Sequence, residues 1–465
     1  MNTLALAWRN LLRNRRRSLM TLSAMILGLM AVLLFGGYIR DINYAMQTDF
    51  VRRSGHLQIQ HKDYFRMGSG NPTAFGIARY REIVDRVSKD AVLAPMLAVV
   101  TPTLQFGGIA GNFSAGVSRT VYVSGMVVDD QNRMRDWNDY DQRIFMRHLP
   151  LSGTPPESAV IGTGVARVLQ MCDALRLPDC SVATAAQPSQ GDALPDDIAA
   201  LSPQPAAGAA AAQVGAGARV EILATSPRGA PNVAAVDVVQ AEFQGIKELD
   251  DVYVALHLEQ AQRLVFGGAA PQVTAIALQL RHTHQMPAAQ QRLKELLPTS
   301  PGGEHLAVID YETLNPFYGQ TLGMFAAIFG FISVLIGAIV LFTVTNTMSM
   351  AVVERTAEIG TLRAIGLRRG GIRTMFLCEG LMLGCLGAVL GIVAAILAAW
   401  AVNQLGLHWT PPSRIEPVPL SVRLVGENGM LLAHAVGLVI VGAVSALLPA
   451  ARAARMNIVD ALRHV

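Results

Sequence analysis

The chain has 465 residues, 51% of them hydrophobic and only 15% charged, where an average soluble protein has about 25% charged. That deficit, with 42 glycines and 19 methionines, excludes an ordinary soluble globule and points to the membrane class. A formal net charge of +4 is too small to support nucleic-acid binding through bulk basicity.

Residues 1–18 read as a cytosolic amphipathic basic segment. Leu4, Trp8, Leu11 and Leu12 share one helical face, and Arg9, Arg13, Arg15, Arg16 and Arg17 occupy the rest, as suits a helix lying on an anionic leaflet. Leu19–Ile39 follows with 21 uncharged residues, about 31 Å as a helix, and is the first expected transmembrane helix (19–39). Its apolar part is too long for a signal-peptide core and "GGYIRD" after it lacks a small-x-small site, so retention is expected.

Residues 40–322 have ordinary polarity and are expected to form a mixed α+β external domain. "HLQIQHK" (56–62), "TVYVSGMVV" (120–128) and "VTAIALQL" (273–280) read as strands; 79–89 and 288–297 have helical apolar spacing. The stretch 181–218, rich in Ala, Pro, Gln and Gly without an aromatic residue, is expected to be a disordered insertion. Cys172 and Cys180 just before it are candidate disulfide partners in an oxidising compartment, two free thiols being the alternative.

Three further spans are expected at 323–349, 374–402 and 429–449, joined by a cytosolic loop at 350–373 and an external loop at 403–428, with a tail at 450–465. In the third span Gly380, Gly384, Gly387 and Gly391 form one smooth groove for close helix packing, within the chain or against a second copy. Glu379 near its start is expected to pair with Arg373 or with the helix interface, and Cys378 and Cys385 to pack as small apolar residues. Arginines crowd 1–18, 350–373 and the tail, whereas the 403–428 loop balances its two with Glu416 and Glu427. Both termini and the 350–373 loop are therefore expected in the cytosol.

The sequence carries no phosphate-binding G-x-x-x-x-G-K-[ST] loop, no H-E-x-x-H and no paired C-x-x-C, so no catalytic or metal site is expected. The charged loop is different. In "ERTAEIGTLRAIGLRRGGIR" (354–373), Ile359, Leu362 and Ile365 recur at spacing three among Glu354, Arg355, Glu358 and Arg363. Gly366 then closes what reads as a short helix between two spans.

The stretch 346–391 resembles the signature of FtsX-like, MacB-type ABC transporter permeases, with its E-R-x-x-E-I-G-x-L-R-A-I-G run and the Phe376-Leu377-x-Glu379 that precedes a glycine-rich span. The tail "LLPAARAARMNIVDALR" is similar to the family ending, with Ile458 where proline is usual. "SAVIGTGVARVLQM" (158–171) and "DDVYVAL" (250–256) resemble marks of the family's periplasmic domain. The resemblance implies four transmembrane helices with a MacB-like periplasmic core domain between helices 1 and 2, in a bacterial inner membrane. It implies a second permease copy or paralogue and a separate ABC ATPase holding ATP and Mg. Glu354, Arg355, Glu358, Ile359, Leu362, Arg363, Ile365 and Gly366 would form the coupling helix, and the work would be mechanotransmission on a lipoprotein, lipid or hydrophobic small molecule with a periplasmic carrier as further partner. A regulator that drives a periplasmic cell-wall hydrolase, and a passive scaffold, remain alternatives.

Overall fold

The computed structural model describes residues 9, 13, 15–68, 71–142, 147–177, 218–300, 302–410 and 417–456. The chain divides into an apolar helical unit (1–45, 317–409 and 417–465) and a mixed unit (46–316 with 410–416). The 181–217 stretch, Cys180 and the tail beyond 456 lie outside the described residues. Cys172 is buried and disulfide-bonded.

Helix α1 (Arg15–Ser54) opens the chain. The mixed unit continues with β1 (Leu57–His61), α2 (Tyr80–Lys89), β2 (Leu97–Asn112), β3 (Val117–Met126), α3 (Val128–Arg135) and β4 (Ser158–Ile161). After them come β5 (Arg219–Thr225), β6 (Pro231–Ala241), β7 (Tyr253–His257), α4 (Leu258–Phe266), β8 (Ala275–Leu280), α5 (Met286–Leu296) and β9 (Leu306–Asp310). The strands form one sheet in the order β3-β7-β4-β6-β5-β2-β8-β1-β9, and β3 also pairs with β2. That extra pairing closes six strands into a ring, while the first half of β2 carries β8, β1 and β9 as an open wing. The sixteen-residue β2 serves both parts because its N-terminal half pairs with β8 and its C-terminal half with β3 and β5. Glycines at 107, 108 and 111 had masked this strand in the sequence, since glycine weakens a strand signal. The core is built from alternate strand residues such as Leu57, Ile59, Leu104, Phe106, Ile276 and Leu278, with Ile83 and Val87 of the amphipathic α2 laid on them.

Gly55 and His56 make the step into β1. Gly55 has φ +78°, and a Cβ there would lie 2.7 Å from the Leu278 carbonyl oxygen, so glycine is required twice over. His56 is fully buried against Trp137, with ring centroids 4.9 Å apart at 85°. Its Nδ1 accepts from the Leu280 N–H at 3.0 Å, leaving Nε2 to face Thr283 Oγ1 at 3.2 Å. Burial pushes the imidazole down to about 4, against the opposing pull of Asp139. The folded state thus keeps His56 neutral where the unfolded chain takes up a proton, and stability is lost as pH falls from 6.5 toward about 4. The loss across that window is on the order of 3 kcal/mol. Thermal unfolding of the detergent-solubilised chain should show it, and His56→Gln should flatten the slope; an unchanged slope would assign the acid sensitivity to other groups.

The apolar unit continues with α6 (Pro316–Glu354), the short α7 (Thr356–Ala364), α8 (Arg369–Gln404) and α9 (Asn428–Arg455). Among the described residues, α1, α6, α8 and α9 are the helices long and apolar enough to cross a membrane. The first two run well past the uncharged windows read from the sequence: Arg40 and Asp41 lie inside α1, and α6 begins at Pro316 rather than 323. Hydropathy marks where lipid contact must end, whereas a helix ends only where its backbone ladder stops being satisfied.

The 417–428 loop is tied to α1 within this unit. Arg40 pairs with Glu427 at 3.1 Å, Tyr44 donates to the same carboxylate at 2.7 Å, and Ser421 donates to Asp41. Gly37 allows the approach, since a Cβ there would lie 2.8 Å from the Arg423 carbonyl. The core of the unit gathers Met25, Leu29 and Leu33 with Val340, Leu383 and Leu438.

Candidate functional site

The glycine groove on α8 is filled from inside the chain. A Cβ at Gly380 would stand 2.6 Å from the Gly442 carbonyl oxygen and 2.8 Å from Ala446 Cβ, and one at Gly384 would stand 3.0 Å from Val439 Cα. One turn and more further along, Gly387 and Gly391 face Met25 and Leu29 of α1 instead. A ladder of small residues thus lets two helices lie against α8, α9 at its first half and α1 at its second. Pro449 inside α9 cannot donate to the carbonyl of Ser445, and Thr345 Oγ1 of α6 donates to that oxygen at 3.3 Å. The proline therefore supplies the tie between α6 and α9.

Below these contacts sits α7. Arg355, its N-cap residue, is buried and pairs with Glu379 of α8 at 3.7 Å, both side chains only 5% exposed. Of the two expectations for Glu379, pairing with Arg373 or with the helix interface, the structure gives an interface partner, Arg355, because α7 folds back over the start of α8. Ile359 is 1% exposed and packs with Val352, Ile372, Met375, Phe376, Ala450, Ala453 and Ala454. The small alanines of α9 leave room for it. Gly366 takes φ +104° at the end of α7, with Leu367 N–H donating to the Leu362 carbonyl and Gly366 N–H to that of Arg363, the Schellman pattern that needs a left-handed residue.

The three apolar residues expected to act together are separated. Ile359 faces inward, Leu362 is half-buried and Ile365 is 80% exposed. At about 100° per residue, a strict spacing of three winds round the helix, so Ile359 and Ile365 stand about 120° apart. Ile359 is therefore a core residue of this chain and is not free to meet a partner, whereas Ile365 and part of Leu362 remain exposed.

The charges also have partners that sequence reading missed. Glu354 accepts from Arg17, Glu358 accepts from Arg13, and Arg363 donates to the Met456 carbonyl beyond α9. Two glutamates four apart matched by two arginines four apart was the available signal. The short helix is thus fastened to α1, α8 and α9 on one side and open on the other. Among the described residues no group of three or more His, Cys, Asp or Glu comes together to hold a metal.

Four helices long and apolar enough to cross a membrane are joined to a mixed α+β unit, with a charged helix clamped at one end. Residues 328–458 match the family model described as FtsX-like permease C-terminal, and residues 18–182 match the MacB-like periplasmic core domain. The chain carries both domains and belongs to the FtsX-like, MacB-type ABC transporter permeases. It is 26% identical over 217 residues to an uncharacterized ABC transporter permease of Methanocaldococcus jannaschii, covering 46% of this chain and 51% of that one. It is 26% identical over 244 residues to the lipoprotein-releasing system transmembrane protein LolC of Neisseria meningitidis, covering 50% and 56%. The ABC transporter permease YtrF of Bacillus subtilis is 36% identical over 141 residues, 29% of this chain and 31% of the relative. The chain spans about half the length, or less, of these curated relatives.

Proposed function

We propose that this chain is the membrane subunit of an ATP-driven complex working by mechanotransmission, with both termini and α7 in the cytosol and the mixed unit outside. A separate ATPase, holding ATP and Mg, grips α7, and the substrate is amphipathic: a lipoprotein, lipid or hydrophobic small molecule taken from the inner membrane or periplasm. The observation that carries this reading is α7 itself, a short helix pinned to three apolar helices by Arg355, Ile359 and Arg363 while Ile365 stands 80% exposed. A helix fastened on one side and open on the other can pass a push from a soluble partner to the membrane helices. The lipoprotein-releasing name of the LolC relative supports the substrate class.

The test is recovery of an ABC ATPase with the tagged protein from native membranes. Ile365→Glu is expected to leave membrane abundance unchanged and to weaken that recovery by tenfold or more, since truncating an interface anchor costs about 1–4 kcal/mol and a buried charge costs further. Full recovery with Ile365→Glu would remove α7 as the handle. The orientation has its own test: on a background lacking Cys378 and Cys385, Val425→Cys should react with an impermeant thiol reagent outside spheroplasts. Ala364→Cys should react only after the membrane is opened, and the reverse order would invert the topology.

A further inference from the structure

At the α7 end of the helical unit, three guanidinium groups meet three carboxylates. Arg17 holds Glu354, Arg13 holds Glu358, and Arg355 holds Glu379. The three positive and three negative charges sum to zero. Arg13 and Arg17 are four residues apart, and so are Glu354, the last residue of α6, and Glu358, in the first turn of α7, so the outer pairs form two rungs of one ladder. The rungs differ from the inner pair in exposure. Arg13 and Glu358 are 56% and 50% exposed, whereas Arg355 and Glu379 are each 5% exposed. The inner pair is shielded from salt, while the outer ladder, whose other rung has Arg17 20% and Glu354 46% exposed, is partly screened.

We infer that Arg13 and Arg17 are positioning residues for α7: the segment leading into α1 sets where α7 lies, through Glu354 at the end of α6 and Glu358 in the first turn of α7. The consequence for function rests on the reading that α7 is the ATPase handle. Under it, a push on α7 reaches α1 through the outer ladder as well as α8 through the buried pair. The basic N-terminal segment then does more than set topology, because two of its arginines belong to the coupling element.

Ile359 supplies a reporter, since it is buried only while α7 sits in place. In the full chain, in opened native membranes, with Cys378→Ala and Cys385→Ala, Ile359→Cys should react slowly with a maleimide. Adding Arg13→Glu and Arg17→Glu should raise that rate about tenfold, the scale two partly exposed ion pairs can supply, and 1 M salt should move the parent the same way. Combining them with Glu354→Arg and Glu358→Arg should restore slow labelling, which a generally damaged fold would not do. An unchanged rate in the arginine variants, or failure of the fourfold reversal to restore protection, overturns the inference. Because Ile359→Cys itself could loosen the core, a short bismaleimide joining Arg17→Cys to Glu354→Cys gives a second reading, and absence of that cross-link also overturns it. ATPase recovery measured on the same variants separates the two ideas. Lost protection with unchanged recovery would uphold the positioning role and sink the handle reading; loss of both, with rescue of both, supports the two together.

Discussion

Arg355→Met is expected to destabilise the chain by about 3–5 kcal/mol, because it leaves the Glu379 carboxylate buried without its countercharge. Both side chains are only 5% exposed, so water cannot take over the lost partner. The desolvation cost of two buried ions is large, and their attraction offsets it only while both are present. Arg355→Met with Glu379→Leu should therefore recover most of the loss, even though two native side chains are gone. Thermal midpoints in detergent and the amount of folded protein in membranes would show the order: parent highest, the double variant close below, Arg355→Met lowest. Additive losses in the double variant would mean that the two residues contribute independently, and that α7 is held on α8 by Ile359 and its neighbours alone.

Gly380→Leu should prevent stable accumulation altogether. Even the first added carbon would meet the Gly442 carbonyl at 2.6 Å and Ala446 Cβ at 2.8 Å, and both belong to backbone or to an alanine that cannot swing away. Gly380→Ala already forces α8 and α9 apart and should cost about 1–3 kcal/mol, the usual range for overpacking. Gly391→Ala should be milder, since the nearest atom at 2.8 Å is the terminal Cδ2 of Leu29, the far end of a flexible side chain. Gly337→Leu on α6 serves as the control, because no atom lies within 4 Å of a Cβ there. Membrane levels and thermal midpoints should follow the order Gly337→Leu, Gly391→Ala, Gly380→Ala, Gly380→Leu. A Gly380→Leu protein as stable as the control would mean that α8 and α9 do not pack through this groove.

The same two sites show how far reading along the chain could go. The glycines at 380, 384, 387 and 391 were legible as a groove because their spacing follows the helix itself. Their partners were not legible, since any small-faced helix, or a second copy, could have filled the groove. Gly366 was legible as a helix end because only the left-handed conformation suits that position. Ile359 was misread as an exposed anchor: its spacing to Leu362 and Ile365 is a local pattern, whereas its burial depends on Phe376 and on alanines of α9, far away in sequence.

Charge behaved likewise. The distribution of arginines was enough to propose a topology, but Arg13 and Arg17 looked like solvated positive charges until Glu358 and Glu354 were found opposite them. By itself, the sequence determined four apolar helices, a mixed α+β unit and a short charged helix closed by glycine, because hydropathy and backbone conformation are properties of neighbouring residues. The tertiary structure alone decided that α8 packs on α9 and α1, that Arg355 rather than Arg373 faces Glu379, and which side of α7 stays open. Those outcomes depend on contacts between residues from tens to hundreds of positions apart, and shape and charge choose among such partners only once the helices stand side by side.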